Sequence, residues 1–123
     1  MLWLPVVAMA GGQILLSSQS RLPRFFPSFS GVDKLEHAAW FFFLGLFAYR
    51  AGRVAEGWSR RGTITVLLVA AAAWGVSDEW HQSFVPGRAV EAADLAADVA
   101  GVALAMTVAE PLLRRLRLLA TSP

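Results

Sequence analysis

The chain has 123 residues, 56% of them hydrophobic and only 16% charged, with a net charge of +2, no Cys and a mean hydropathy of +0.51. A soluble domain uses about 45–50% apolar residues, and one this small buries the smallest share of its surface, so the composition points to lipid as the missing solvent. The absence of Cys excludes disulfides, thiolate metal sites and a Cys nucleophile; no basic patch interleaved with aromatics suggests nucleic acid, and neither a Gly-rich phosphate loop nor a Ser nucleophile motif is present.

The first apolar run covers residues 2–16 and closes on Ser17, Ser18, Gln19 and Ser20. Ala8-Met9-Ala10 resembles a signal-peptide cleavage site, but no basic segment precedes the run, so the reading is a retained helix. A loop with Arg21, Pro23, Arg24 and Pro27 follows. The second run starts near Asp33 and Lys34 and passes through Trp40 and Phe41–Phe43 to Tyr49. Residues 50–61 read as a loop, with Gly52 and Gly57 as breakers. The third run covers residues 63–82, Phe84-Val85-Pro86-Gly87 is a turn, and the fourth run covers residues 91–113 before the cluster Arg114, Arg115 and Arg117.

A spanning helix needs about 20 mainly apolar residues. Each run reaches that length only by carrying its flanking polar residues into the interface or the bundle interior. The expected architecture is therefore all-α, a single domain over residues 1–123, and a polytopic bundle of four short transmembrane helices. Three spans with a re-entrant piece is the other arrangement. Lys and Arg favour the cytoplasmic side. Arg50, Arg53, Arg60, Arg61, Arg114, Arg115 and Arg117 would share a side with the termini, against Arg21, Arg24, Lys34 and Arg88 opposite. This predicts cytoplasmic N- and C-termini.

The remaining polar residues then gather at the extracytoplasmic end. Ser17, Ser18 and Gln19 close the first helix, and Asp33, Lys34, Glu36 and His37 open the second. Asp78, Glu79, His81 and Gln82 close the third, with Arg88, Asp94 and Asp98 at the start of the fourth. Residues four apart share a helix face, which pairs Asp33 with His37, Asp78 with Gln82, and Asp94 with Asp98. Ala93, Ala97, Gly101, Ala105 and Ala109 form a small-residue stripe of the kind that lets membrane helices approach. Asp98 lies about 15 Å along the helix from Arg88. It must pair with a base, face a wet cavity or be protonated, because an acid at the bilayer centre costs about 2.5–3.5 kcal/mol.

Three segments carry a resemblance. Asp33-Lys34-Leu35-Glu36-His37, then the stretch from Gly75 to Arg88 containing Asp78-Glu79-Trp80-His81-Gln82, then Asp94-Leu95-Ala96-Ala97-Asp98-Val99-Ala100-Gly101 are similar to the VanZ-like membrane protein family. Ser17-Ser18-Gln19 also matches, and the likeness runs over about residues 14–105. The chain departs from the family at Asp98, where Asn is usual, which adds a negative charge inside the bundle. The resemblance implies a polytopic membrane protein. The founding member is linked to low-level resistance to the glycopeptide teicoplanin, and the family as a whole implies no single biochemical activity.

Each candidate residue has a functional and a plain reading. His37 suits a general base or metal ligand, or else an interfacial histidine bonded to Asp33 or to a third-helix acid. Arg88 suits phosphate, because its planar fork recognises it, or an ion pair with Asp94 or Glu79. Asp94 and Asp98 with Glu79 and His37 offer ligands for a divalent metal, or the two aspartates share one proton. Lys34 reads as a snorkelling side chain, His81 as interfacial, and the five Trp as an aromatic belt. The leading expectation is an extracytoplasmic polar pocket for an anionic, lipid-linked envelope intermediate. His37, Asp78 and Glu79 would handle protons, Arg88 would hold phosphate, and Asp33, Lys34, Gln82, Asp94 and Asp98 would bind and orient. The alternatives are a proton-coupled transporter, with Asp98 and His37 as relay groups and Thr65 and Thr107 as weak polar stations, and a structural or partner-binding membrane protein whose polar residues form a closed network that fixes helix register.

Overall fold

The computed structural model describes residues 1–20 and 30–119, all helix and connections with no strand among them. Four helices follow in chain order: α1 Leu4–Ser17, α2 Val32–Arg50, α3 Arg60–Gln82 and α4 Ala92–Arg115. The loop carrying Arg21 and Arg24 lies outside the described residues.

Residues 50–61 are not the simple loop that their glycines suggest. α2 runs on through a π-helical turn, Ala51–Ala55. There Glu56 donates its backbone N–H to the Ala51 carbonyl at 3.2 Å, an i→i+5 bond of the kind that widens a helix. Gly52 is buried in this turn, and a Cβ on it would stand 2.8 Å from the Trp58 ring. Its role is to let an indole close over the backbone. Ser59 then starts α3, its Oγ accepting the Gly62 N–H at 3.0 Å, which satisfies one of the free amides of the first turn.

The core sits between α2 and α4, the most closely packed pair. They run parallel in a fixed register: His37 meets Asp98 at one end and Tyr49 meets Glu110 at the other, both pairs 61 residues apart. Gly101 makes the approach possible, since a Cβ there would lie 2.3 Å from the Ala38 carbonyl oxygen. The small-residue stripe is thus real along Gly101, Ala105 and Ala109, which are buried, while Ala93 is exposed. Phe41, Tyr49, Val102, Met106 and Leu113 fill the space between. α3 closes on α4 at Gly75, where a Cβ would meet Leu95 Cδ1 at 2.4 Å. α1 runs parallel to α3, tied to it by polar contacts at residues 13 and 18.

By length and composition α4 is the one described helix that qualifies to cross a membrane. α1 is apolar but only 14 residues long. α2 and α3 have the length, at 19 and 23 residues, but Asp33, Lys34, Glu36 and His37 on one and Arg60, Arg61, Asp78 and Glu79 on the other dilute their apolar character. The four-helix expectation holds; what composition alone cannot supply is the spanning role of the two helices that carry the polar residues.

Candidate functional site

The polar ends of all four helices meet. Ser18 Oγ of α1's C-terminus lies 3.0 Å from His81 Nε2, Gly87 packs beside the Ser20 carbonyl, and Lys34 reaches Glu91 at 2.6 Å. The C-terminal ends of α1 and α3 and the N-terminal ends of α2 and α4 therefore stand at the same end of the bundle, as the alternating topology requires.

Within this end three nodes form. The first is His37, whose Nδ1 lies 2.8 Å from Asp98 Oδ1, with Nε2 3.8 Å from Asp94 Oδ2. Its partner is on α4, not the Asp33 or third-helix acid that spacing suggested. Asp33 is one residue from the outward Lys34 and turns to it instead. With an ionised Asp98 accepting from Nδ1–H, Nε2 faces the Asp94 carboxylate at 3.8 Å, beyond hydrogen-bond length. Asp98 is 2% exposed, so it answers the cost of burial by pairing.

The second node is Lys34. Its Nζ stands 2.5 Å from Asp33, 2.6 Å from Glu91 and 2.7 Å from Asp94. It is not a snorkelling side chain; three carboxylates hold it in place. Asp94 Oδ1 is buried and depends on this charge contact alone. The carboxylate oxygens of Asp33, Glu91 and Asp94 lie within 4.8 Å of one another. They form the one metal-like trio among the described residues, and it differs from the expected set of His37, Glu79, Asp94 and Asp98. The Lys34 ammonium stands where a cation would sit, so the residues present do not fit a metal there without displacing it.

The third node is Asp78. One of its oxygens, Oδ2, accepts from Gln13 Nε2 at 3.2 Å and from Gln82 Nε2 at 3.0 Å. Asp78 is 7% exposed, and its Oδ1 has no hydrogen bond among the described residues. Gln82 is 1% exposed and its Oε1 is unpartnered. Its orientation is settled by Asp78, since a flipped amide would set oxygen against carboxylate. Glu79 turns the other way, accepting the Glu91 backbone N–H at 2.7 Å and so fixing the entry to α4.

Arg88 is half-buried in the connection between α3 and α4. The expected ion pair with Asp94 or Glu79 does not form, because Lys34 and the Glu91 amide take those carboxylates. His81 is exposed and bonds Ser18, away from the central nodes.

Two features escaped the sequence reading. Gln13 sits inside an apolar run, four residues before the buried Ser17; that spacing on one face was the available signal. The second is a buried cluster at the opposite end. Glu110, 6% exposed, accepts from Tyr49 Oη at 2.6 Å, Arg53 Nε at 3.2 Å and Arg114 Nε at 3.1 Å. Arg53 also donates to the Trp58 carbonyl. Thr65 and Thr107, the expected polar stations of that half, are exposed, and Thr107 bonds only its own helix.

None of the curated proteins and none of the solved structures compared with the chain matches it. The family model VanZ/LLP1 matches residues 6–114, a stretch that takes in every node described above. The chain belongs to the VanZ/LLP1 family.

Proposed function

We propose that the protein is a multi-pass membrane protein whose four short helices span the bilayer, with both termini in the cytoplasm. Its polar pocket, open to the outer leaflet, binds the head of an anionic, lipid-linked envelope intermediate. The observation that carries this reading is the meeting of polar residues from four helices at one end with several bonding sites unfilled among the described residues: Gln82 Oε1, Asp78 Oδ1, His37 Nε2 and the Arg88 guanidinium. A network whose only task was register would close on itself.

The roles follow from chemistry. Arg88 offers five donors in a fork that fits a phosphate. Asp78 and Gln82 accept from hydroxyl or amide groups on the head. His37, oriented by Asp98, takes a proton through Nε2, the arrangement that activates a water or hydroxyl for hydrolysis or group transfer. Lys34 and Glu79 hold α2, α3 and the start of α4 in place around the pocket. The glycopeptide-resistance association of the VanZ-like family concerns the same envelope chemistry.

Topology is tested by cysteine labelling, since the chain has no Cys of its own. Leu35→Cys and Ser83→Cys should react with an impermeant maleimide from outside the cell, and Arg61→Cys only after permeabilisation. Reaction of Leu35→Cys and Ser83→Cys from opposite faces sinks the reading. Binding is tested with the full chain in nanodiscs and a long-chain alkyl monophosphate, with the corresponding alcohol as control. Preference for the phosphate should fall about tenfold in Arg88→Ala, or roughly 1.4 kcal/mol. Equal binding of phosphate and alcohol by the unaltered chain removes the anionic head.

A second reading, a structural network, draws on one observation: Lys34 already offsets three carboxylates. It predicts that His37→Ala and Glu79→Gln lose folding and no more.

A further inference from the structure

One turn below the polar pocket the bundle is hollow. A cavity of about 260 Å³ lies between α1, α2 and α3, with Ala10, Phe41, Ala48, Ala71 and Trp74 among its walls and Trp3 and Trp58 towards its far end. Each wall joins the pocket within a helical turn. Ala10 precedes Gln13, Phe41 follows His37, and Trp74 precedes Asp78 at helix-face spacing. From Phe41 to Ala48 the slot runs about 10 Å along α2. Its lining includes Val66 and Ala70 of α3, both of them exposed, so it opens sideways rather than through the polar end.

We propose that this slot takes the hydrocarbon chain of the lipid whose head the pocket binds, a single chain entering laterally past Val66 and Ala70. The inference rests on the headgroup reading above. Apolar cavities exclude water and accept apolar ligands. A cavity lined by apolar and aromatic side chains and lying one helical turn from Gln13, His37 and Asp78 on the three helices that wall it suits a molecule that is apolar along its length and polar at one tip. The adjoining groups set the register: the chain occupies the turns from Ala48 to Phe41, and the head lies level with His37 and Asp78.

The test uses the full chain in nanodiscs and an alkyl monophosphate bearing a diazirine partway along its chain, with cross-linked peptides mapped by mass spectrometry. The label should fall on Phe41, Ala71 or Trp74. Ala70→Phe, which fills the mouth from an exposed position, should cut that labelling at least about fivefold; Ala10→Phe serves if the first variant does not fold. Labelling confined to outward residues such as Val69 and Val76, and unaffected by either variant, overturns the chain site. The headgroup reading fails separately. Slot labelling that is blocked by Ala70→Phe but indifferent to Arg88→Ala keeps the chain site and removes Arg88 as the phosphate holder.

Discussion

Asp98 and Glu110 are both buried acids on α4, twelve residues or about 18 Å apart, and each meets a side chain of α2 across the same register. Their surroundings differ. Glu110 is saturated: Tyr49, Arg53 and Arg114 supply donors to both its oxygens. Among the described residues Asp98 has His37 alone, and around that pair lie Asp78, Asp94 and Gln82, each with an atom that no described residue hydrogen-bonds. Burying a charge is costly unless it is paired and hydrogen-bonded. The Glu110 cluster, the inner one in the proposed orientation, meets that demand fully and behaves as a fastening. The outer cluster meets it in part, and its unfilled bonding sites are what a ligand would complete.

The sharpest way to break this comparison is at the fastening. Glu110→Ala leaves the buried Tyr49 hydroxyl without its acceptor and half-buried Arg53 without its carboxylate, and should cost about 3–5 kcal/mol, read as a large fall in thermal stability of the purified protein. A variant as stable as the original would show that the inner cluster is no fastening. Gly101→Ala comes next. Its Cβ would meet the Ala38 carbonyl oxygen at 2.3 Å, forcing α2 and α4 apart at a cost of about 1–3 kcal/mol. Both clusters should loosen together, because the register that builds them is shared.

The outer cluster should respond the other way. Asp98→Asn keeps a hydrogen-bonding partner for His37 Nδ1 and restores the amide usual in the VanZ-like family. It should change stability by under about 1 kcal/mol. The same substitution removes the charge that holds His37 ready to take a proton. If the site works on its ligand, turnover should fall while binding of the alkyl monophosphate persists. Loss of stability comparable to Glu110→Ala would instead make the two ends alike and favour a structural network.

How much of this was legible in the sequence differs between the two ends for a physical reason. The outer residues come in runs, Asp33-Lys34 with His37 and Asp78-Glu79 with Gln82, each adjoining an apolar segment, so alternating topology alone gathers them. Their individual partners were not legible. Helix spacing tells which residues share a face, but the 61-residue register between α2 and α4 is set by the fit of Gly101 against Ala38, which no local pattern displays. That is why spacing points His37 to Asp33 or a third-helix acid, and Lys34 to the interface, rather than to their α4 partners. At the Glu110 end, Tyr49 closes an apolar run, Glu110 is a lone acid in one and Arg114 belongs to a basic cluster, so no spacing pattern joins them. Arg53 lay in what its glycines marked as a loop, and only the π-helical turn of Ala51–Ala55 brings it onto Glu110.

Gln13 offers the finest cut. It is buried at 7% exposure in an otherwise apolar helix, and its one side-chain bond among the described residues runs to Asp78, an oxygen that Gln82 also serves. Gln13→Leu therefore removes one of two donors to the same atom and should cost only about 1 kcal/mol. Among the described residues the side-chain hydrogen bonds between α1 and α3 at this end are this contact and the Ser18–His81 pair, so the effect should be local. Hydrogen exchange of α1 should quicken while that of α2 and α4 stays unchanged. Exchange that rises across all four helices would mean that the outer cluster is as much a fastening as the inner one, and that its unfilled bonding sites are not held open by the rest of the bundle.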